Sequence, residues 1–177
     1  IGSPRFLMRN GLEPNEHVGQ HLHLHPAIGC YALFDEEVLH WHGVSQGYFV
    51  DRWSEGWLLQ TATITPDNQF LAMPLPVGPE LNEVMAKMRY LGAAGAIIHD
   101  EDSVGSVGSH TLSFELGDGD RQLLLKGMRE VARVWFAAGA HTVISSVVGG
   151  GLIKSPDEID RVIALDTPYD RLLAVAS

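Results

Sequence analysis

Between residues 124 and 136, apolar side chains recur at helical spacing. Leu124, Met128, Val131 and Trp135 form one stripe, with Leu125, Ala132 and Phe136 beside it. A stripe on one side of a helix has to be buried against another element. Most of what precedes it is strand-like, so the expected partner is a sheet. Residues 27–34 ("AIGCYALF"), 45–50 ("SQGYFV") and 56–64 ("GWLLQTATI") are short, apolar-rich runs. Turn formers separate them, among them Gly43, Asp51 and Pro66-Asp67-Asn68. In the third run Trp57, Leu59, Thr61 and Thr63 alternate with Leu58, Gln60, Ala62 and Ile64, and neither set is purely polar. That pattern suits a strand covered on at least part of both faces. Short connections between the runs allow antiparallel pairing. The expected fold is α+β, a mainly antiparallel β-sheet with helices packed on one side.

The remaining elements follow from local signals. Ser3 is placed to cap a short helix whose first residue is Pro4 and which ends at Asn10-Gly11. Asn15 can cap a further turn. Leu81, Val84, Met85, Met88 and Leu91 predict a helix between Pro79 and Gly92, followed by strands at 94–99, 113–116 and 141–147. Asp118 or Asp120 is the expected cap of the long helix and Gly139 its stop. Ser155 and Glu158 have the spacing of a capping box.

Several function classes are excluded early. The 177 residues suffice for one domain, or at most two small ones. The formal charge is −10 and Lys and Arg are scattered, which argues against a nucleic-acid partner. No apolar run approaches the roughly 18 residues of a membrane span. Cys30 is the sole cysteine, so no internal disulfide forms. A reducing compartment is permitted, with the cytoplasm as the expected location. Set in an apolar strand, Cys30 reads as a packing residue and not a nucleophile. Gly149-Gly150-Gly151 is no dinucleotide fingerprint. "GDGD" at 117–120 suits a turn and helix cap better than a calcium loop, because further acidic ligands do not follow.

The histidines admit two readings. His21, His23 and His25 alternate with Leu22 and Leu24, and His40-Trp41-His42 repeats the spacing. On a strand, alternate imidazoles share a face and could bind zinc or copper. Alternatively they are polar residues at a junction, hydrogen-bonded to their surroundings. The second reading is favoured: there is no helical His-Glu-x-x-His, no cysteine partner, and Pro26 follows at once. No metal is expected.

Taken with its neighbours, the histidine run carries a family resemblance. "IGSPRFLMRNGLEP" at 1–14 followed by "VGQHLHLHP" at 18–26 resembles the glucose–methanol–choline (GMC) family of FAD-dependent oxidoreductases. There, Ser-Pro-x-x-Leu-x-x-Ser-Gly-Ile-Gly leads to Val-Gly-x-Asn-Leu-x-Asp-His-Pro. Ser3, Pro4, Leu7, Gly11 and Leu12 match the first pattern, and Val18, Gly19, Leu22, His25 and Pro26 the second. Asn10, Glu13, His21 and Leu24 depart from it. The His-Leu-His-Leu-His-Pro version is similar to the long-chain alcohol oxidase branch. "GDGDRQLLLKGMREVARVWFAAGAHTV" is similar to the long helix of the family's substrate domain, and "WHGVSQGYFVDRW" to a segment leading into its sheet.

The resemblance implies a substrate-binding segment of an alcohol oxidase or dehydrogenase. In the family, a histidine base takes the hydroxyl proton while hydride passes from the alcohol carbon to flavin N5. Residues 1–26 would form the junction with a flavin-binding domain, supplied by another part of the protein or another chain. Residues 27–177 would form the substrate-binding domain. Gly19, His21, His25 and Pro26 are the implied junction residues, and Ser3 and Pro4 would lie near the flavin. Gln46, Tyr48, Phe49, Trp57 and Gln60 are the candidates for a wall facing a small alcohol substrate. FAD is expected in the complete enzyme but not on this chain alone. The chain opens as if inside a longer protein, and the family's catalytic histidine would lie beyond Ser177. None of the nine histidines here is then the base. The alternatives are a stand-alone His-rich metal-binding protein and a non-catalytic binding module.

Overall fold

A computed structural model describes residues 1–12, 15–63 and 65–176, with the backbone alone for Leu71 and Ala176. Glu13 and Pro14 of the amino-terminal pattern, Ile64 of the third strand-like run, and Ser177 lie outside the described residues.

The architecture is α+β with an antiparallel sheet, organised around strand β1 (Pro26–Leu33). Pro26 opens the strand, where a missing N–H is tolerated. Strand β2 (Phe49–Arg52) lies at the sheet's edge and pairs with β3 (Trp57–Thr61). β3 pairs in turn with β4 (Leu91–Ile98). β4 runs along the whole of β1, from Ala27 opposite Ile97 to Leu33 opposite Leu91. The other edge of β1 is divided. Cys30 to Leu33 pair with β7 (Thr142–Ser145), which carries the short β8 (Leu152–Ile153). Pro26 to Ile28 pair with β9 (Ala174–Ala176). Strands β5 (Val104–Val107) and β6 (Leu112–Glu115) form a separate hairpin.

The two sheet faces are covered differently. Ile28, Cys30 and Ala32 of β1, with Ala96 and Ile98 of β4, meet Leu124, Leu125, Met128 and Val131 of helix α4 (Asp118–Ala137). These are the stripe residues read from the sequence. Each large apolar side chain so buried stabilises the fold by about 1.5–3 kcal/mol before entropy is counted. The helix lies close because Gly127 faces Ala96; a Cβ there would come within 2.5 Å of the Ala96 Cβ. Helix α5 (Ile159–Val162) adds Ile159 to the same core.

On the opposite face, Tyr31, Leu33, Leu91 and Ala93 meet Leu81 and Val84 of helix α3 (Pro79–Ala86), with Met73 and Leu75. The helices therefore divide between the faces instead of gathering on one side, in keeping with the period-two run that lacked a polar face. This second cover reaches only one end of the sheet. The end around Ala27 and Gly29 stays open.

Several boundaries differ from the sequence reading. Helix α1 spans Gly2–Arg9, so Ser3 and Pro4 lie within its first turn and Ser3 makes no capping bond. Ser45 to Gly47 are not strand; Gln46 has a left-handed φ of 57°, and pairing starts at Phe49. Pro66-Asp67-Asn68 starts helix α2 (Pro66–Ala72) where a turn was expected. Helix α3 stops at Ala86, a 3₁₀ turn covers Met88 to Tyr90, and β4 begins at Leu91. Ser155 makes no side-chain cap; Glu158 instead accepts from the Lys154 N–H at 2.7 Å. Gly139, with φ of 98°, does end the long helix. Among the described residues no helix is long and apolar enough to cross a membrane.

The start of α4 is capped from outside. Asp102 accepts the N–H groups of Gly119 (2.8 Å) and Asp120 (3.0 Å), and these bonds hold its carboxyl below the usual range. Asp120, buried, points back. It accepts the N–H groups of Glu101 and Ser103 at 3.1 and 3.0 Å and the Ser103 hydroxyl at 2.6 Å. Asp118 and Asp120 are thus not the caps; the second ties the 101–103 loop to the helix.

Candidate functional site

The amino-terminal segment rests on the β5–β6 hairpin. Leu22 donates its N–H to Gly105 O at 2.9 Å, and Val107 donates to Gly19 O at 2.7 Å. Gly19 has φ of 84°, and a Cβ there would collide with the Val107 carbonyl. His21 also takes a left-handed φ, 55°. From α1, the Arg9 guanidinium donates to Ser109 O at 3.1 Å. Asn15 does close a turn, accepting the His17 N–H at 3.0 Å.

The three alternating histidines separate in role. The His23 ring pairs through Nδ1 with the Asp100 carboxylate at 3.0 Å, whose second oxygen accepts the Leu24 N–H at 3.1 Å. The Asp100 side chain is 5% exposed, so this is the constrained contact of the run. His25 is exposed and has no hydrogen bond among the described residues; only the adjoining Pro26 is buried. Of the three, His23 makes the contact with a nearly buried partner, and His25 makes none. Among the described residues, no three His, Cys, Asp or Glu side chains gather as a possible metal site. His40 and His42 lie in a separate turn closed by His42 N–H to Leu39 O at 2.8 Å.

His25 instead stands at the rim of a cleft of about 500 Å³ on the uncovered end of the sheet. Alternation along the strands decides which side chains reach it. Ala27, Gly29 and Tyr31 of β1 face it, as do Ala93, Gly95 and Ile97 of β4, Gln60 of β3, and Val175 of β9. Gln46 and Ser146 complete the polar contribution. None of the lining residues is Asp, Glu, Lys or Arg. An apolar concavity with a few hydrogen-bonding groups and no Asp, Glu, Lys or Arg among its described residues suits a mainly apolar ligand.

The sequence-derived wall residues divide. Gln46 and Gln60 line the cleft. Trp57 does not: it is buried on the other face, in the α4 core. Tyr48, just before edge strand β2, and Phe49, its first residue, are exposed and border a groove of about 270 Å³ with Val134 and Trp135 of α4. Tyr31 and Ser146, both more than nine-tenths buried, were missed because each sits in a run that reads as core. The available signal was Gly29 and Gly95 inside strands, where glycine often marks the close approach of a ligand or another backbone.

No family model matches the chain. An uncharacterised GMC-type oxidoreductase of Mycobacterium tuberculosis is 29% identical over 178 residues, which is 97% of this chain and 28% of the relative. The chain is a relative of GMC-type oxidoreductases. A long-chain-alcohol oxidase of Arabidopsis thaliana is 27% identical over 153 residues, covering 81% of the chain and 20% of that protein; another is 25% identical over 150. The chain therefore spans under a third of the length of these GMC-type relatives. An α+β unit with a mainly antiparallel sheet is consistent with the substrate-binding domain that the resemblance implies.

His141, the last histidine in the chain, lies away from the cleft. It precedes β7, with Nδ1 2.8 Å from the Thr142 hydroxyl, at the Leu33 end of the sheet. All described strand pairs are antiparallel, and the N–H groups at the start of α4 already bind the Asp102 carboxylate. A second anion at that helix end would meet a negative charge instead of free donors.

Proposed function

We propose that this chain supplies the substrate wall of an FAD-dependent alcohol oxidoreductase of the GMC type. The observation that carries the reading is the largely apolar cleft on the open end of the sheet, in a chain related to GMC-type oxidoreductases along nearly its whole length. FAD would be held by a flavin-binding domain outside these residues and would accept the hydride from the alcohol carbon. The base that takes the hydroxyl proton would also lie outside the chain, as the resemblance implies. What these residues do is bind and orient: the small-residue floor receives an apolar body, and Gln46 and Gln60 offer amide donors and acceptors at its margins. The junction residues, with Ser3 and Pro4 exposed or half-exposed on α1, would adjoin the flavin-bearing part.

Anaerobic addition of 1-octanol to the full-length protein tests this reading. Loss of oxidised-flavin absorbance is the expected result. A full-length protein without flavin, or one whose flavin no primary alcohol reduces, defeats it. The metal-binding alternative predicts stoichiometric zinc or copper released by changing His21, His23 and His25, of which His23 pairs with Asp100 and His25 lines the cleft.

A further inference from the structure

One row of residues crosses the cleft floor. In register, Gln60 of β3 pairs with Gly95 of β4, and Gly95 with Gly29 of β1. One step past the Cys30–Ser145 pair, Ser146 follows on the far side of Gly29. A Cβ added at Gly29 would meet only Ala94 O, at 3.2 Å, and the nearest atoms to one added at Gly95 are backbone, Ile28 O at 3.0 Å first. The middle of the row is thus a trough down to bare backbone, bracketed by an amide and a hydroxyl.

Two polar side chains on this face add an independent observation. Ser146 is 5% exposed and Tyr31 is 7% exposed, and both line the cleft. Neither hydroxyl has a hydrogen-bond partner among the described residues, and neither is among the fully enclosed unpartnered atoms. A buried tyrosine usually satisfies its hydroxyl, and leaving one unpaired is costly. Two such hydroxyls, one on β1 and one just past the end of β7, that line the cleft are placed to bind something in it.

We infer that Tyr31 and Ser146 bind the hydroxyl of a neutral alcohol whose aliphatic chain lies in the Gly29–Gly95 trough. This rests on reading the cleft as the substrate wall. It adds the specificity-determining residues: the hydroxyl pair recognises the polar end, and the Cβ-free row sets the depth available to the chain. A methyl group at either glycine raises the floor beneath the ligand, whereas removing a hydroxyl leaves the shape intact. An ionic head group finds no Asp, Glu, Lys or Arg among the described lining residues.

The test is equilibrium binding of 1-octanol and of n-octane to the full-length protein, with any flavin reduced beforehand so that turnover does not occur. Tyr31→Phe and Ser146→Ala are each expected to weaken 1-octanol about threefold to tenfold, the scale of one hydrogen bond, and to leave n-octane unchanged. Gly95→Ala is expected to weaken both probes. Tyr31→Phe and Ser146→Ala lose only a hydroxyl, so they carry the test even where Gly95→Ala lowers stability. Unchanged 1-octanol binding in both hydroxyl variants, an equal loss for octane, or no 1-octanol binding to the unaltered protein overturns the inference. The outcomes separate it from the function above. A flavin-free protein that keeps the octanol-over-octane pattern defeats only the FAD reading. A protein whose flavin 1-octanol reduces equally well in both hydroxyl variants defeats only the assignment of Tyr31 and Ser146.

Discussion

At the residue scale, His23 and His25 differ in what they touch although the sequence presents them alike. Asp100 accepts from both the His23 ring and the Leu24 backbone and is nearly buried. Asp100→Ala should therefore cost about 1–3 kcal/mol in thermal or urea unfolding, while His25→Ala should stay within about 0.5 kcal/mol of the parent. A larger effect at His25 than at Asp100 would reverse the assignment. Cys30 gives a second expectation. It is fully enclosed beneath α4, and burial pushes its thiol well above the ordinary range. The thiolate is the reactive form, so a colorimetric thiol reagent should label Cys30 only in denaturant. Rapid labelling of the native protein would show that the strand opens. Trp57 shows what could not be read in advance. The period-two pattern placed Trp57 and Gln60 on opposite faces, yet nothing local told which face would be covered by a helix.

At the scale of elements, α4 was legible because twenty residues of helical periodicity leave one apolar stripe. β1 was legible because a short apolar run follows a proline. β5, β8 and β9 were not, since strands of two to four residues carry no period of their own and take their pairing from the surrounding fold. The cap of α4 was misplaced for a similar reason: Asp102 lies sixteen residues before the helix and reaches it only through tertiary structure. Its folded pKa is depressed, so its contribution is present above the unfolded value of about 3.9 and is lost as pH falls through the folded value. Asp102→Ala should lower the melting temperature at pH 7, and that difference should shrink on acidification below about pH 4. A difference that persists undiminished at pH 2 would assign the effect to packing. Gly127 sets two elemental terms against each other. Gly127→Ala gains about 1 kcal/mol of helix propensity but drives a methyl group into Ala96, an overpacking cost of typically 1–3 kcal/mol. Because backbone on both sides is fixed, the second term should win, and a raised melting temperature would show that helix and sheet can separate freely.

At the scale of the molecule, the described residues leave a largely apolar cleft open on the sheet, and all their strand pairs are antiparallel. One sheet face is sealed by α4 and α5; the other is half-covered by α3 and half-open as the cleft. FAD carries a pyrophosphate that needs unpaired backbone donors, usually at a helix N-terminus following a parallel strand. Here the long helix spends those donors on Asp102, whose carboxylate would repel a phosphate at the same place. The described cleft lining supplies no Lys or Arg to compensate. These 177 residues, mixed with FAD and passed over a gel-filtration column, should therefore emerge without yellow colour, while the full-length protein should retain flavin. Asp102→Ala sharpens the experiment. It frees the helix end without adding the glycine-rich loop, so it should gain no stoichiometric flavin. Stoichiometric FAD on the unaltered chain would mean that the cofactor is held by this sheet itself, and the division of labour between substrate wall and flavin-binding part would have to be abandoned.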